Sequence, residues 1–200
     1  PQNENTDFYP RSPYAVSKLF AHWSTINYRE SYDIFATCGI LFNHESPLRG
    51  EEFVTKKITK GLSRIKMGKQ EILHLGNLSA QRDWGHAKDY VEAMWKMLQT
   101  EKPDDYVIST GRTESIKNFV DLTCKKLGIQ AKWIGKDLKA QCINIENGKP
   151  IIQIKKEFFR PSEVDLLIGN SLKARVNLNW IPKITLEELC EEMINFDLNN

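Results

Sequence analysis

The run Ile34-Phe35-Ala36-Thr37-Cys38-Gly39-Ile40-Leu41-Phe42 constrains the fold of this chain more than any other stretch. A continuous apolar run of this kind reads as a strand buried on both faces of a parallel sheet. It opens directly into the polar segment Asn43-His44-Glu45-Ser46-Pro47. That segment stands at the carboxyl end of the strand, where open α/β sheets bind ligands. Helical patterns surround it. Ser12 caps and Pro13 opens a helix to about Ser31, with Leu19, Trp23 and Ile26, beside Phe20, as its core stripe. Further helices are expected from Glu51 to about Met67 with Gly68 as its stop, and from about His86 to Leu98. Another runs from Ser115 to about Leu127, closed by Gly128, and one from near Ser171 ends before Pro182. Thr185 starts the last, at capping-box spacing from Glu188. Strands are expected at 72–75, 106–109, 133–134 and 151–154, while 135–150 reads as a glycine-punctuated loop. The alternation predicts an α/β protein with right-handed crossovers.

Charge narrows the function. The 28 basic residues are mixed with 26 acidic ones, for a net charge of +2. A nucleic-acid-binding stripe needs clustered Lys and Arg, so no nucleic-acid partner is expected. No apolar run approaches membrane-spanning length, so no membrane partner is expected. Cys38, Cys124, Cys142 and Cys190 lie far apart without a C-x-x-C. They read as reduced thiols of a cytoplasmic protein, with no metal site.

The chemistry starts on the first helix. Tyr14 and Lys18 are four residues apart, which stacks them on one face, one turn apart. An ammonium beside a phenol favours the phenolate. A tyrosine so placed takes a proton from a substrate hydroxyl and later returns it. Taken alone, the pair is a weak signal and reads more plainly as a surface Tyr and Lys on an amphipathic helix.

Its surroundings carry a resemblance. Tyr14-x-x-x-Lys18 after Phe8-Tyr9-Pro10-Arg11-Ser12-Pro13 resembles the active-site helix of the extended short-chain dehydrogenases/reductases. Three further blocks resemble the GDP-mannose 4,6-dehydratases in particular. They are Leu41-Phe42-Asn43-His44-Glu45-Ser46-Pro47, Arg82-Asp83-Trp84-Gly85-His86-Ala87-Lys88-Asp89-Tyr90-Val91 and Phe159-Arg160-Pro161-Ser162-Glu163-Val164-Asp165. The likeness runs in order from about Pro10 to the C-terminus.

The resemblance implies the C-terminal part of a Rossmann-type parallel-sheet domain plus a smaller α/β substrate-binding domain. Residues 1–50 would end the NADP-binding domain, and 51–200 would mainly bind the GDP-sugar, with about 76–112 returning to the Rossmann part. A dinucleotide fold needs a Gly-rich turn to meet the pyrophosphate, and no G-x-G-x-x-G occurs here. In the family that turn, with a catalytic Thr and Glu, lies upstream. The chain is therefore expected to be a C-terminal portion, inactive alone.

The resemblance also assigns roles. Tyr14 is the general base and acid, and Lys18 assists it and hydrogen-bonds the nicotinamide ribose of NADP. His44 and Arg49 match cofactor-contacting positions. Asn43, Lys57, Arg82, Arg160 and Glu163 match contacts to GDP-mannose. Leu48 departs from the family, which has a second arginine there. The first helix joins a subunit-pairing four-helix bundle in the family, which implies a homo-oligomer. The family's reaction oxidises mannose at C4, removes water across C5 and C6 and reduces C6, giving GDP-4-keto-6-deoxymannose with the cofactor regenerated.

Without the resemblance these residues read more plainly. His44 would be a loop histidine, Arg49 a solvated charge, Lys56-Lys57 a solvated helix face and Arg82-Asp83 a local ion pair. Trp84, Asp89 and Trp180 read as structural. Two alternatives stay open: a dehydratase or epimerase for another nucleotide sugar, and a non-catalytic nucleotide-sugar-binding or assembly module from a split or truncated gene.

Overall fold

The computed structural model describes residues 1–159, 164 and 166–200. In chain order its first elements are α1 (Pro13–Tyr32), β1 (Cys38–Leu41), β2 (Asn43–Glu45), α2 (Val54–Lys66) and β3 (Leu73–Leu75). Then come β4 (Gln81–Arg82), β5 (Trp84–His86), α3 (Ala87–Met97), β6 (Asp105–Ile108), β7 (Glu114–Ser115) and α4 (Ile116–Lys126). The chain closes with β8 (Ala131–Ile134), β9 (Gln141–Asn144), β10 (Pro150–Ile154), α5 (Leu172–Leu178) and α6 (Leu186–Asn199). It forms two compact units. Unit 1 comprises Pro1–His44, Asp83–Thr113 and Leu167–Ile184, and unit 2 the remaining segments Glu45–Arg82, Glu114–Leu166 and Thr185–Asn200.

In unit 1, β1 and β6 pair in parallel, from Cys38 opposite Asp105 to Leu41 opposite Ile108. α3 and α5 pack on β6. The core between them holds Tyr90, Met97, Tyr106, Ile108, Leu178 and Trp180. The Trp180 indole N–H donates to the Asp89 carbonyl at 2.8 Å, and the Asp89 carboxylate accepts from the backbone N–H of Lys183 and Ile184. Trp84 is buried as well. All three are structural, as their sequence context implied.

Asp83 corrects a reading. The carboxylate is fully buried and accepts from Thr110 N at 2.9 Å, Thr110 Oγ1 at 2.7 Å, Gly111 N at 2.9 Å and Gly169 N at 3.3 Å. It organises backbone; a local pair with its neighbour in sequence does not describe it.

Two further expectations fail here. Only Cys38–Leu41 of the apolar run is strand, and Ile34 and Phe35 stay exposed. A parallel strand is buried on both faces only where helices cover both sides of its sheet; among the described residues this sheet is the pair β1-β6 alone. The α1 stripe is likewise not a core face. No residue of α1 is buried, with Phe20 75 % and Trp23 56 % exposed. Periodicity says which face is apolar, not what covers it.

The last turn of α1 is tied down by charge. Arg29 donates from Nη1 and Nη2 to the two carboxylate oxygens of Asp105 at 2.9 and 3.3 Å, and from Nη1 to the Ala36 carbonyl. Burial by itself would raise the Asp105 carboxyl. The hydrogen bonds and charge of Arg29 outweigh it and hold the group below its usual value. A carboxylate depressed on folding contributes stability above its unfolded pKa, lost as pH falls through the folded one. Asp105→Asn is therefore expected to cost about 2 kcal/mol near pH 7, with the gap to wild type narrowing below the usual carboxylate pKa of about 3.9. Thermal unfolding at several pH values checks this. A gap independent of pH would rule it out.

Unit 2 holds a four-stranded sheet in the order β3-β10-β9-β8. β10 runs parallel to β3 and antiparallel to β9, and β8 pairs antiparallel with β9. α2, α4 and α6 pack together, burying Ile58, Leu62, Phe119, Val120, Leu189 and Met193. Segment 135–150 is not a loop throughout. It contains a 3₁₀ turn at Asp137–Lys139 and the strand β9, in which Cys142 is fully buried. The glycines mark the turns on either side: Gly135 and Gly148 have φ of 71° and 70°. The capping signals work as read. Gly68 and Gly128 adopt left-handed φ after α2 and α4, and Thr185 and Glu188 close a reciprocal capping box on α6. All four cysteines are free and buried.

Candidate functional site

In unit 1, Ser12 caps α1 by accepting from Ala15 N at 3.1 Å, and Pro13 occupies the first helical position. One turn of helix then carries Tyr14 to Lys18, whose Nζ lies 5.5 Å from the centre of the tyrosine ring. Tyr14 is 70 % exposed. Both line a cavity of about 710 Å³ together with His22, Cys38, Leu41 and His44. His44 is held from two sides: its ring stacks on Tyr90 at 4.7 Å, and its Nδ1 lies 2.9 Å from the Phe42 carbonyl. A carbonyl only accepts, so Nδ1–H donates and Nε2 is left for other partners. The break between β1 and β2 at Phe42 thus brings His44 to the same cavity as the α1 pair. Asn43 precedes it in β2.

Sequence reading named neither His22 nor Cys38 as a site residue, although both line this cavity. With Asp105 they form a group whose ligand atoms lie within 4.8 Å of one another. The donor set is poor for a metal. Both Asp105 oxygens are taken by Arg29, and burial, with Asp105 beside it, pushes the Cys38 thiol up to about 11.

Unit 2 carries the other candidates. Arg49 Nε lies 3.1 Å from Glu45 Oε2, and its guanidinium stacks on Phe53 at 3.5 Å. Burial raises the Glu45 carboxyl, partly offset by the hydrogen bond from Thr55 and the charge of Arg49. Lys57 Nζ sits 3.8 Å over the Phe158 ring, and burial lowers its pKa. Arg82 Nη1 donates to the carbonyls of Gln81 and Val164 at 2.9 and 2.6 Å. A cavity of about 700 Å³ in this unit is lined by Asn77, Gln81, Lys117, Trp133, Lys136 and Phe159, among others. Arg160 and Glu163 lie outside the described residues. The structure thus gathers Tyr14, Lys18 and His44 at one cavity of unit 1, while Arg49, Lys57 and Arg82 belong to unit 2.

This is a Rossmann-type α/β fold. The structure of RMD from Pseudomonas aeruginosa complexed with NADPH matches it with a TM-score of 0.83, over 100 % of this chain and 60 % of that one, at 19 % identity. The chain belongs to the GDP-mannose 4,6 dehydratase family, whose profile matches residues 1–193. The GDP-mannose 4,6-dehydratase of Sinorhizobium fredii is 51 % identical over 100 % of this chain and 57 % of its own length. That of Dictyostelium discoideum is 53 % identical over 99 % and 56 %. The chain spans about half the length of the curated relatives it matches. Among the described residues, no helix is long and apolar enough to cross a membrane.

Proposed function

We propose that this chain carries the proton-transfer helix and the nucleotide-sugar-binding part of a GDP-mannose 4,6-dehydratase. The observation that supports it most is the convergence of Tyr14, Lys18 and His44 on one cavity, in a chain of that family. Tyr14 accepts the proton of a sugar hydroxyl as the carbinol carbon is oxidised and later returns it. Lys18 stabilises the phenolate and donates to a ribose hydroxyl. His44 offers Nε2 at the cavity. The donor set suits the nicotinamide-ribose end of NADP: an ammonium, an imidazole and a phenol beside apolar Leu19, Ile40 and Leu41. A bound nicotinamide supplies the acceptance and return of hydride. A pyrophosphate needs the Gly-rich turn, which these residues do not contain. Arg49 is assigned to the same cofactor by family resemblance.

For the nucleotide, Asn43, Lys57, Arg82, Arg160 and Glu163 form the proposed contact set. Lys57 is a partly buried cation, costly to keep without an anion to meet it. Separately from this set, the unit 2 cavity is lined by Trp133, Phe159, Lys117 and Lys136, aromatic and cationic groups that suit a nucleoside diphosphate. The exposed apolar face of α1 supports a second copy of the chain as partner.

Calorimetric titration tests the reading. The chain is expected to bind GDP and GDP-mannose and to bind NADP poorly. Arg82→Ala should weaken GDP about tenfold, since a charge-assisted hydrogen bond contributes about 1.5–3 kcal/mol and 1.4 kcal/mol is a decade. Tight NADP binding without a response to GDP would reverse the assignment.

A further inference from the structure

Lys56 is buried where its sequence context reads as a solvated helix face. It lies in the first turn of α2, and its side chain is 5 % exposed. Its Nζ donates to Asp197 Oδ1 at 2.5 Å and to the Pro47 carbonyl at 2.8 Å, and sits 4.7 Å from the Phe196 ring. Asp197, 3 % exposed, accepts from Thr59 Oγ1 at 2.7 Å with its other oxygen. A buried ion pair is poor evidence for stability, because well-packed apolar side chains of similar volume often do as well or better. What apolar side chains cannot do is hold the Pro47 carbonyl.

That carbonyl belongs to the turn that carries Arg49. Arg49 N donates to the Ser46 carbonyl at 3.0 Å, and Leu48 N to Ser46 Oγ at 3.2 Å. Glu45 accepts from Thr55 Oγ1 at 2.7 Å, and Arg49 lies on Phe53. The turn is thus fastened to the start of α2 at Glu45, Pro47 and Arg49. Lys57, next in the chain, turns the other way onto Phe158.

We propose that Lys56 is a positioning residue of the candidate site: anchored by Asp197 of the last helix, it fixes through Pro47 the 45–50 turn that carries Arg49, assigned above to the cofactor, and holds the first turn of α2, which carries Lys57 of the nucleotide-sugar set. The inference rests on the function proposed above for those two cations. It makes α6 part of what holds that turn in place.

The test separates stability from positioning. Lys56→Met strands a buried carboxylate and is expected to lower the unfolding midpoint by about 10 °C. Lys56→Met/Asp197→Leu removes both charges and should recover most of that loss. If Lys56 only stabilises, the double variant behaves as wild type. If it positions, trypsin cuts after Arg49 about tenfold faster in the double variant, and GDP affinity falls about tenfold. Lys56→Arg, which still donates to both partners, should restore both readouts. Should the double variant not fold, cleavage of Lys56→Met and Lys56→Arg is compared well below their midpoints, and equal rates overturn the proposal. A wild type that binds no GDP would refute the functional reading, while cleavage after Arg49 still decides the role of Lys56.

Discussion

Tyr14→Phe is expected to lower GDP-mannose turnover about 1,000-fold. The measurement requires a protein that also supplies the half of the relatives' length that this chain does not span. Proton transfer by a positioned side chain contributes roughly 10²–10⁴ in rate, and a thousandfold corresponds to about 4 kcal/mol of barrier. Phenylalanine keeps the ring and removes only the proton acceptor. Because Tyr14 is largely exposed on α1, folding should be unaffected and GDP-mannose affinity nearly unchanged. The expected pattern is thus a fall in kcat with little movement of ligand affinity. A variant that turns over at near the wild-type rate would show that another group moves the proton.

Asp83→Ala should be the most damaging single change to folding. The buried carboxylate takes four hydrogen bonds, three of them from the backbone N–H of Thr110, Gly111 and Gly169. Removing it leaves those donors without a partner, at about 1–3 kcal/mol each. A loss of at least about 4 kcal/mol follows, equivalent to roughly 8–16 °C in midpoint for a chain of this size. Asp83→Asn should be milder, since one amide oxygen still accepts. Denaturant or thermal unfolding of both variants checks this, and a midpoint for Asp83→Ala within about 2 °C of wild type would refute it.

Local signals were legible because the groups they satisfy lie within a few residues. Ser12-Pro13, Gly68, Gly128 and the Thr185–Glu188 pair each act on backbone one turn away. The family blocks were legible too, and the family's profile matches residues 1–193. Lys56 was misread as part of a solvated face with Lys57. A signal existed: Thr59 and Ser63 follow it at three and seven residues, a small polar stripe on a buried helical face.

The α/β alternation, most helix ends, the family and the Tyr14–Lys18 spacing were readable along the chain, because all of them depend on short-range geometry or on pattern. Long-range packing set the rest: Ile34 and Phe35 stay exposed, α1 buries nothing, 141–144 is a strand, and Asp83 and Lys56 are buried. It alone brought His44 to the cavity that Tyr14 and Lys18 line. The physical reason is the same in each case. Burial, strand pairing and the partner of a charge depend on residues distant in sequence: Asp197 lies 141 positions from Lys56, and Gly169 lies 86 from Asp83. A pattern along one segment carries no record of which distant segment meets it.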